Sequence, residues 1–488
     1  MRGFTSLTVH AIAASILQSD KFTHTMTNNT AILKAAFTAW SVASALRKRR
    51  LRNKRFTYGD QWSDPAVDAD GTATTEEAIV YKKYGTAPIT NNMLRQMVKT
   101  IVGRFRAEHL SRTREPSAMK NIVESNALDE LDSRALEEFL ISGCCIQRVE
   151  ETENLGKKET VVSNVNLSHF FINHTIDPLS RDCEIVGQIH DLSVAELIKR
   201  VAAGNKKKAA WVRRLYSDSP DDRTLQFCTA IGADSQSGAD FWFTHTNKCR
   251  AIEVWTLESQ EVLLCHDQAT AKVFVVPVSQ EKKIKADPLI SYRWDIATMW
   301  RCRWFTPMGD LLATFDSPAK HRQHPFVVKF YPLTDGEVHG FIEDVIDQQK
   351  YINRLTTIVD RILSNSAKGV LLYPESAKPN SLNWNTILRI WNETGGVLPY
   401  NPNEGMAKPE QVSHDNTNIG IFEMINLQMK MMENVSGITG TLQGQNVNTS
   451  GSASLYQTQA ANSSIALYDI FDTFNNFRHL RTQKALAI

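Results

Sequence analysis

Apolar residues spaced three or four positions apart predict two long amphipathic helices in the last third of the chain. The first covers residues 341–366 and has a charged opposite face, and the second covers residues 419–435. A stripe this narrow suits the packing of helix against helix, within the chain or between copies of it. The side chains expected to form this packing surface are Val345, Ile352, Leu355, Val359, Phe422, Ile425 and Met429.

A compact mixed segment separates these two helices, and a polar loop follows them. Residues 369–373 predict a strand, and Val397 and Leu398 predict a second one after two glycines. Gly437, Gly440 and Gly444 among amide and hydroxyl residues predict a loop over residues 437–452. A final long helix is expected over residues 453–486. Its apolar seam is formed by Leu467, Ile470, Phe471, Phe474 and Phe477.

Helical spacing also predicts three helices near the start of the chain, over residues 31–51, 91–106 and 127–145. Asn92 is expected to cap the second of them, because its side chain can accept a hydrogen bond from the first turn. From residue 146 onward, alternation of apolar and polar residues is typical of strands. The fold class expected is therefore α+β, with a largely antiparallel sheet. Further strands are predicted at residues 251–264, 272–278 and 324–331, and the lysine triplet 206–208 is expected in a solvated loop.

A dense basic cluster follows the first predicted helix. Its members are Arg47, Lys48, Arg49, Arg50 and Arg52, with Lys54 and Arg55 beyond them. One interpretation is a solvated helix end, where cations complement the helix dipole. The other is a patch that contacts phosphate, an acidic partner or a membrane surface. The pattern of residues leaves both open.

Residues 300–305 combine two tryptophans with Arg301 and Arg303. Basic and aromatic side chains together can bind single-stranded nucleic acid. In a strand, however, the same alternation places the arginines on one face and the aromatic rings on the other. We favour the packed strand as the interpretation.

Composition limits the range of functions. The chain has 488 residues and a formal net charge of +2, which argues against coating nucleic acid with the whole surface. Its length suggests two to four domains, and no apolar run is long enough to span a membrane. Seven scattered cysteines without a CxxC pair indicate reduced thiols, and Cys144 and Cys145 are expected to be buried. Residues 1–25 resemble a signal peptide only faintly, and Met26 is expected to be the natural start of the folded part.

The motifs of common enzymes are missing from the sequence. It contains no P-loop, HExxH or GxSxG pattern, and its acidic pairs lack a histidine partner. Asp68 and Asp70 form a DxD pair, but no further carboxylates are placed beside them. We therefore expect no catalytic residue, no metal site and no cofactor.

Three stretches of the last third carry a resemblance to a known family. They are EDVIDQQKYINRLTTIVDRILSNSAKGVLLYPE, MENVSGITGTLQGQ and NTSGSASLYQTQAANSS, and FTYGDQW near the start adds a weaker similarity. Together they resemble the portal, or head-to-tail connector, proteins of tailed bacteriophages, especially those of podovirus-like gut phages. The resemblance runs from about residue 56 to the end and rests on an order of elements rather than on a catalytic signature.

The resemblance implies a portal-like fold with an α+β wing, two stem helices, a small clip domain and a long C-terminal helix. The implied boundaries are 1–55 for an N-terminal extension, helix and basic cluster, 56–340 for the wing, 341–366 for the first stem helix, 367–411 for the clip, 412–436 for the second stem helix, 437–452 for a tunnel loop and 453–488 for the long wing helix. The crown found in many portals is expected to be absent or truncated.

The resemblance also implies the function: a ring, typically of twelve copies, at the capsid vertex, through which viral DNA is packaged and ejected. The implied partners are double-stranded DNA without sequence preference, the terminase large subunit, a tail adaptor and the major capsid protein, with no membrane and no enzymatic activity. The protein would be in the virion, and in the host cytoplasm during assembly. The residues implied to face DNA from the tunnel loop are Gln443, Gln445, Asn446, Asn448 and Ser450.

One rival class fits the same residues. A nucleic-acid-processing enzyme, or a DNA-binding virion component, would use the basic cluster at residues 47–55 and the strand at residues 300–304. A ring with a central hole in electron micrographs would favour the portal, and a compact monomer would favour the rival.

Overall fold

The computed structural model describes residues 29–112, 119–154, 156–217, 220–233, 238–244, 246–317, 323–366, 370–392, 397–401, 408–412, 419–438, 440, 465 and 467–487. The helices among them are α1 (Asn29–Val42), α2 (Ser44–Tyr58), α3 (Glu76–Tyr84), α4 (Met93–Arg112), α5 (Lys120–Asn126), α6 (Leu128–Ser142), α7 (Val194–Val201), α8 (Lys206–Leu215), α9 (Pro220–Ile231), α10 (Ala239–Trp242), α11 (Glu281–Lys285), α12 (Ile346–Ser366), α13 (Trp384–Asn392), α14 (Ile419–Ser436) and α15 (Tyr468–Ala487). The strands are β1 (Pro65–Val67), β2 (Ala73–Thr75), β3 (Cys144–Asn154), β4 (Lys157–Asn164), β5 (Phe170–Ile172), β6 (Ile185–Leu192), β7 (Cys249–Asp267), β8 (Lys272–Pro277), β9 (Ile290–Phe305), β10 (Leu311–Asp316), β11 (Phe326–Phe330), β12 (Pro332–Thr334), β13 (Glu337–Val338), β14 (Val370–Leu372) and β15 (Glu410–Val412). The α+β class expected from the sequence is confirmed.

Internal contacts divide the chain into two units. The first combines residues 1–54, 98–343 and 464–488, and the second combines residues 55–97 and 344–463. The sequence had suggested one continuous wing over residues 56–340. The contacts instead group residues 55–97 with the long helix α12.

A large antiparallel sheet forms the core of the first unit, with strands in the order β10-β9-β7-β6-β5 and β8 beside β7. Where β7 and β9 enter the core, both faces of the sheet are covered. Trp255, Cys302 and Trp304 pack on one face. Ile252 and Phe305 pack on the other, together with α1. Side chains that alternate along these two strands are therefore buried on both faces of the sheet, each face in its own hydrophobic layer.

A smaller sheet, β11-β3-β4, is joined to the large one by a buried ion cluster. Arg148 of β3 donates to both carboxylate oxygens of Glu253 on β7, with the Nη2–Oε1 distance at 3.1 Å. His190 Nε2 lies 2.7 Å from Glu253 Oε2, and Trp255 Nε1 donates to Oε1 at 2.8 Å. Burial opposes ionisation of Glu253, yet Arg148 and His190 hold its pKa well below the usual range. The carboxylate therefore stays charged and links the two sheets.

The C-terminal helix α15 is held to the first unit by charge as well as by aromatic packing. All five residues of the predicted seam are buried. The Phe474 ring meets Phe105 edge-on, with 5.3 Å between centroids. Arg478 Nε donates to Asp132 Oδ2 at 2.8 Å, and Arg481 donates to the other oxygen of this 1% exposed carboxylate.

In the second unit, a ladder of polar side chains attaches α12 to an extended segment that precedes α4. The N–H groups of Ile89, Asn91 and Met93 donate to Thr357 Oγ1, Asn353 Oδ1 and Gln349 Oε1, at 3.1, 3.0 and 3.1 Å. Four residues of helix rise about 6 Å and two residues of extended chain about 6.6 Å, so the two repeats stay in register. This ladder explains why residues 55–97 group with α12.

Asn353 is the centre of the ladder. Its Nδ2 donates to Gln61 Oε1 at 2.6 Å, and its Oδ1 also accepts from Gln349 Nε2 at 2.9 Å. Its side chain is almost fully buried, as is that of Gln349. Buried amides of this kind stabilise the fold only while every partner is present.

Several element predictions need correction. The helix expected over residues 31–51 is two helices, and the whole basic cluster of residues 47–55 lies within α2. The triplet 206–208 begins helix α8 rather than a loop, because Asn205 Oδ1 caps the N–H groups of Lys207 and Lys208. The partner of β14 is β15, whereas residues 397–401 are held by other bonds, such as that from Tyr373 Oη to Pro399 O at 2.6 Å.

The predicted cap of α4 and the burial of two cysteines are confirmed, and one predicted helix proves shorter. Asn92 caps α4, since its Oδ1 accepts from the Arg95 N–H at 3.1 Å. The helix predicted over residues 127–145 ends at Ser142, because Gly143 adopts a φ of 71° and His339 O leaves no room for a Cβ there. Cys144 and Cys145 begin strand β3 and are buried as expected.

We predict that Asn353→Ala lowers the free energy of unfolding by about 3 kcal/mol, because it leaves the side-chain oxygen of the buried Gln61 without a partner and removes the acceptor of the Asn91 N–H. Chemical unfolding followed by circular dichroism measures the change. Asp360→Ala, at an exposed position of the same helix, is the matched control and should alter stability by less than about 0.5 kcal/mol. Equal stability of the two variants would contradict the role assigned to the ladder.

Candidate functional site

The helix pair α12 and α14 is the first candidate site, since both helices belong to the second unit and contact each other. Of the seven packing residues expected from the sequence, Val345, Ile352 and Leu355 are buried, Val359, Ile425 and Met429 are half-buried, and Phe422 is 52% exposed. Met432 of α14, which is fully buried, replaces Phe422 as an inward-facing residue. Within one copy of the chain, then, the stripe on α14 is only partly covered.

The uncovered part of this helix pair is strongly apolar. On α14 the exposed large apolar side chains include Phe422, Met424, Leu427, Met431 and Val435, and on α12 they include Tyr351, Ile358 and Leu363. Single exposed apolar residues are ordinary, but Met424, Leu427, Met431 and Val435 follow one another at spacings of three and four, which places them along one side of α14. Such a row marks an interaction surface. The chemistry of this surface suits the packing of another protein helix.

The basic cluster is not one exposed patch. Arg47 is buried, stacks on the Trp40 ring with its Cζ 3.6 Å from the centroid, and donates to the Trp40 carbonyl. Burial lowers the pKa of Arg47 to about 10. Arg50 is also buried, and its Nε and Nη2 donate to the two carboxylate oxygens of Glu138. Lys48 is exposed, and Arg49 and Arg52 are half-buried.

The arginines of residues 300–305 are likewise paired within the chain. Arg301 Nη1 and Arg303 Nη2 lie 3.2 and 2.6 Å from the two oxygens of Glu258. Arg301 also contacts Asp316 at 2.8 Å. Trp300 and Trp304 pack in the core on the opposite face. The packed-strand interpretation is therefore confirmed.

A cavity of about 550 Å³ lies over the ion cluster that joins the two sheets, with Glu253, Trp304 and His324 in its wall. Lys484 of α15 borders it and donates to the carbonyls of His324 and Phe326, at 2.7 and 2.6 Å. Burial lowers the pKa of Lys484 to about 8. Its ammonium group is engaged by backbone oxygens. The cavity wall also contains Cys302, whose Sγ donates to Glu253 Oε1 at 3.8 Å. Burial raises the pKa of this thiol well above its usual value, which disfavours the reactive thiolate.

The remaining candidates for chemistry are also occupied. Lys82 Nζ bridges Asp68 and Asp70 at 2.6 and 3.0 Å, where a metal would otherwise be sought. Burial raises the pKa of the Cys144 and Cys183 thiols to about 12, which disfavours the reactive thiolate. Among the described residues, no group of three acidic, histidine or cysteine side chains could hold a metal ion, and no helix is both long and apolar enough to cross a membrane.

The five residues expected to face DNA, Gln443, Gln445, Asn446, Asn448 and Ser450, lie outside the described residues. The start of this part of the chain is described. Helix α14 ends at Ser436, whose Oγ accepts from the Ile438 N–H at 3.2 Å, and Gly437 has a φ of 68°. Sequence reasoning missed two features: the buried polar ladder on α12, and the exposed part of α14.

One comparison with known proteins gives a clear result. The family model described as "Phage P22-like portal protein" matches residues 115–488, which is well over half of the chain. No curated protein sequence matches the chain. The match covers α12, α14 and α15 and every strand from β3 onward.

We predict that Arg50→Ala lowers the free energy of unfolding by about 2 kcal/mol, because Glu138 then loses its buried partner. Lys48→Ala, which removes an exposed charge two residues away on the same helix, should change stability by less than about 0.5 kcal/mol. Thermal unfolding and a DNA retention assay on both variants distinguish the two roles. A stable Arg50→Ala variant that had lost DNA binding would argue for a phosphate contact instead.

Proposed function

Because the chain belongs to the family of phage P22-like portal proteins, we propose which of its segments perform each task of a portal. A portal is the head–tail connector of a bacteriophage virion: it occupies the capsid vertex and serves DNA packaging. Proteins of this family are structural and act as rings with capsid, terminase and tail partners. The observation that carries this conclusion is the family match over residues 115–488.

We assign α12 and α14 as the two stem helices, and residues 367–411 between them as the clip where tail adaptor and terminase large subunit dock. The described residues of the first unit, except α15, make up the wing, and α15 is the long wing helix. The support is the order of elements, together with the contact between α12 and α14. The polar ladder on α12 fits a stem that must keep its shape under load.

The ring is proposed to contain twelve copies, with the exposed apolar side chains of α12 and α14 covered by neighbouring copies. Phe422 and Val435 are each at least half exposed in a single chain, which leaves a surface that association would bury. The methionines of α14 suit a contact between neighbouring copies, because their flexible side chains tolerate small shifts between packed helices.

The tunnel loop over residues 437–452 is proposed to meet double-stranded DNA without sequence preference. Its amide and hydroxyl groups can contact phosphate oxygens, and they read no base edges if they stay on the backbone. The loop carries no formal charge from Gly437 to Ser452, so it adds little of the salt-dependent attraction that would hold DNA in place. A passage for moving DNA requires this weak contact.

The rival function has no support in the described residues. Arg47, Arg50, Arg301 and Arg303, on which it relied, contact groups of the same chain. We propose that the protein has no hydrolytic or nuclease activity and contacts the major capsid protein at the vertex. The assembling protein is proposed to reside in the host cytoplasm before it enters the virion.

We predict that the purified protein forms rings with a central hole in negative stain, and that Phe422→Asp reduces them to smaller species. Phe422 is exposed, so the variant should fold normally while a charge in the proposed interface opposes association. Glu423→Ala, at the next exposed position of the same helix, is the control and should form rings.

Ile352→Asp should instead unfold the stem, because Ile352 is fully buried. A wild-type protein that stays monomeric at micromolar concentration would overturn the ring.

We predict that replacing Gln443, Gln445 and Asn448 together with Ala leaves ring assembly intact and lowers DNA packaging. Gln445→Glu should lower it further, since a carboxylate repels phosphate. Rings are counted by electron microscopy, and packaged genomes are measured by nuclease-protected DNA per particle. Fully packaged, infectious particles after deletion of residues 443–448 would remove the tunnel-loop assignment even if the ring were confirmed.

A further inference from the structure

The far part of the large sheet forms a three-stranded arm, defined here as residues 260–299. It consists of the second half of β7, all of β8 and the first part of β9. Helix α11 covers part of one face, where Ile284 packs with Leu263, Cys265 and Val276 in a small core of its own. The arm thus has a stable interior and is not a loose hairpin.

The outer edge of β9 in the arm has no partner strand. β10 pairs with β9 only at residues 301–305, and no other described strand pairs with residues 290–299. The ladder between β7 and β9 runs without a register shift from Ile252↔Phe305 to Asp267↔Ile290, so no bulge interrupts this edge. Trp294 and Ile296 on it are 56% and 53% exposed.

The opposite edge of the arm is open as well. β8 pairs with β7 on one side, and no described strand lies on its other side. Val273 and Val275 are 62% and 37% exposed, on the face opposite the small core. Long, flat and apolar open edges pair with other chains unless something covers them. The arm has two such edges, and they differ from each other.

We propose that the β9 edge of one copy pairs in parallel with the β8 edge of the next copy, so that the sheet continues from subunit to subunit. Both strands run antiparallel to β7, and hence parallel to each other. A copy related by a small rotation keeps the strand direction, so its β8 presents itself to β9 in the parallel sense. The proposal rests on the ring proposed above.

Pairing between unlike edges is what a closed ring requires. A contact of β9 with the β9 of another copy would be two-fold and would stop at a dimer, whereas unlike edges join copies head to tail. Self-pairing of β8 is opposed by charge, because the exposed lysines Lys272, Lys282 and Lys283 lie on or beside it. Glu261, exposed on β7 opposite Ile296, offers these lysines a partner across the proposed contact.

Cysteine cross-linking tests this contact. Val275→Cys is combined in turn with Ser291→Cys, Arg293→Cys and Asp295→Cys, three positions on the same sheet face as Val275. Within one chain β7 separates these sites by about 9.5 Å, which is too far for a disulfide. A disulfide between the two introduced cysteines therefore joins two copies, and the unmodified chain with its seven native cysteines is oxidised in parallel as the background. The full chain is oxidised after assembly and analysed on non-reducing gels.

We expect at least one of the three pairs to give a series of cross-linked oligomers on the gel. Each variant with only one introduced cysteine should remain uncross-linked. Val275→Cys with Trp211→Cys, an exposed position on α8, is the control pair and should give no such series. A second variant, Trp294→Lys with Ile296→Lys, should keep the circular dichroism spectrum of the wild type and lose rings, since edge lysines oppose strand addition. Arg293→Lys is its matched control and should keep them.

The outcomes separate the two proposals. If the wild type forms rings but no cysteine pair gives cross-linked oligomers, the arm contact is overturned and the portal assignment stays intact. Dimers from Arg293→Cys alone would show β9 paired with itself and would also overturn it. Absence of both rings and cross-linked oligomers would count against the ring and the arm contact together. Cross-linked oligomers without rings would count against the ring alone.

Discussion

The second unit depends on one periodic match, that between four residues of α12 and two residues of extended chain. Gln349, Asn353 and Thr357 use this match to accept hydrogen bonds from every second N–H of residues 89–93. An apolar stripe would tolerate sliding of the helix along its partner, because dispersion and burial change little with small shifts. A row of directional bonds does not, since each shift leaves buried groups unpaired. The position of α12 along its axis is therefore fixed, and with it the side chains that it offers to other copies.

Charge in the first unit is used mainly to hold the fold together. Arg148, Arg481 and Arg50 each pair with a carboxylate from another element, and Glu258 receives two arginines of one strand. Buried pairs of this kind make these arginines unavailable to a polyanion. For a protein that guides DNA without binding it tightly, this distribution has a physical advantage, because retention by phosphate contacts grows with each exposed cation.

The hydrophobic period of the sequence predicted many of the elements, including α12, α14 and the strands β7, β8 and β11, because burial imposes that period directly. It did not identify the polar ladder, since amides spaced four apart look the same as a solvated face and their partners lie more than 250 residues away. The basic cluster was ambiguous for a similar reason: Glu138, which holds Arg50, is distant in sequence. The exposed part of α14 could not be foreseen either, because apolar spacing does not distinguish a partner within the chain from a partner in another copy.

The long pairing of β7 with β9 also has a mechanical meaning. Sixteen consecutive residue pairs give a ribbon of about 54 Å, whose inner end is fixed between two hydrophobic layers and whose outer end extends beyond them. Pulling along the strands strains all of the cross-strand hydrogen bonds at once, whereas peeling from the tip breaks them one at a time. Such a ribbon is stiff toward tension along its length and compliant toward lifting of its tip. A disturbance that lifts the tip would be absorbed near the tip, and one that pulls on it would reach the core undiminished.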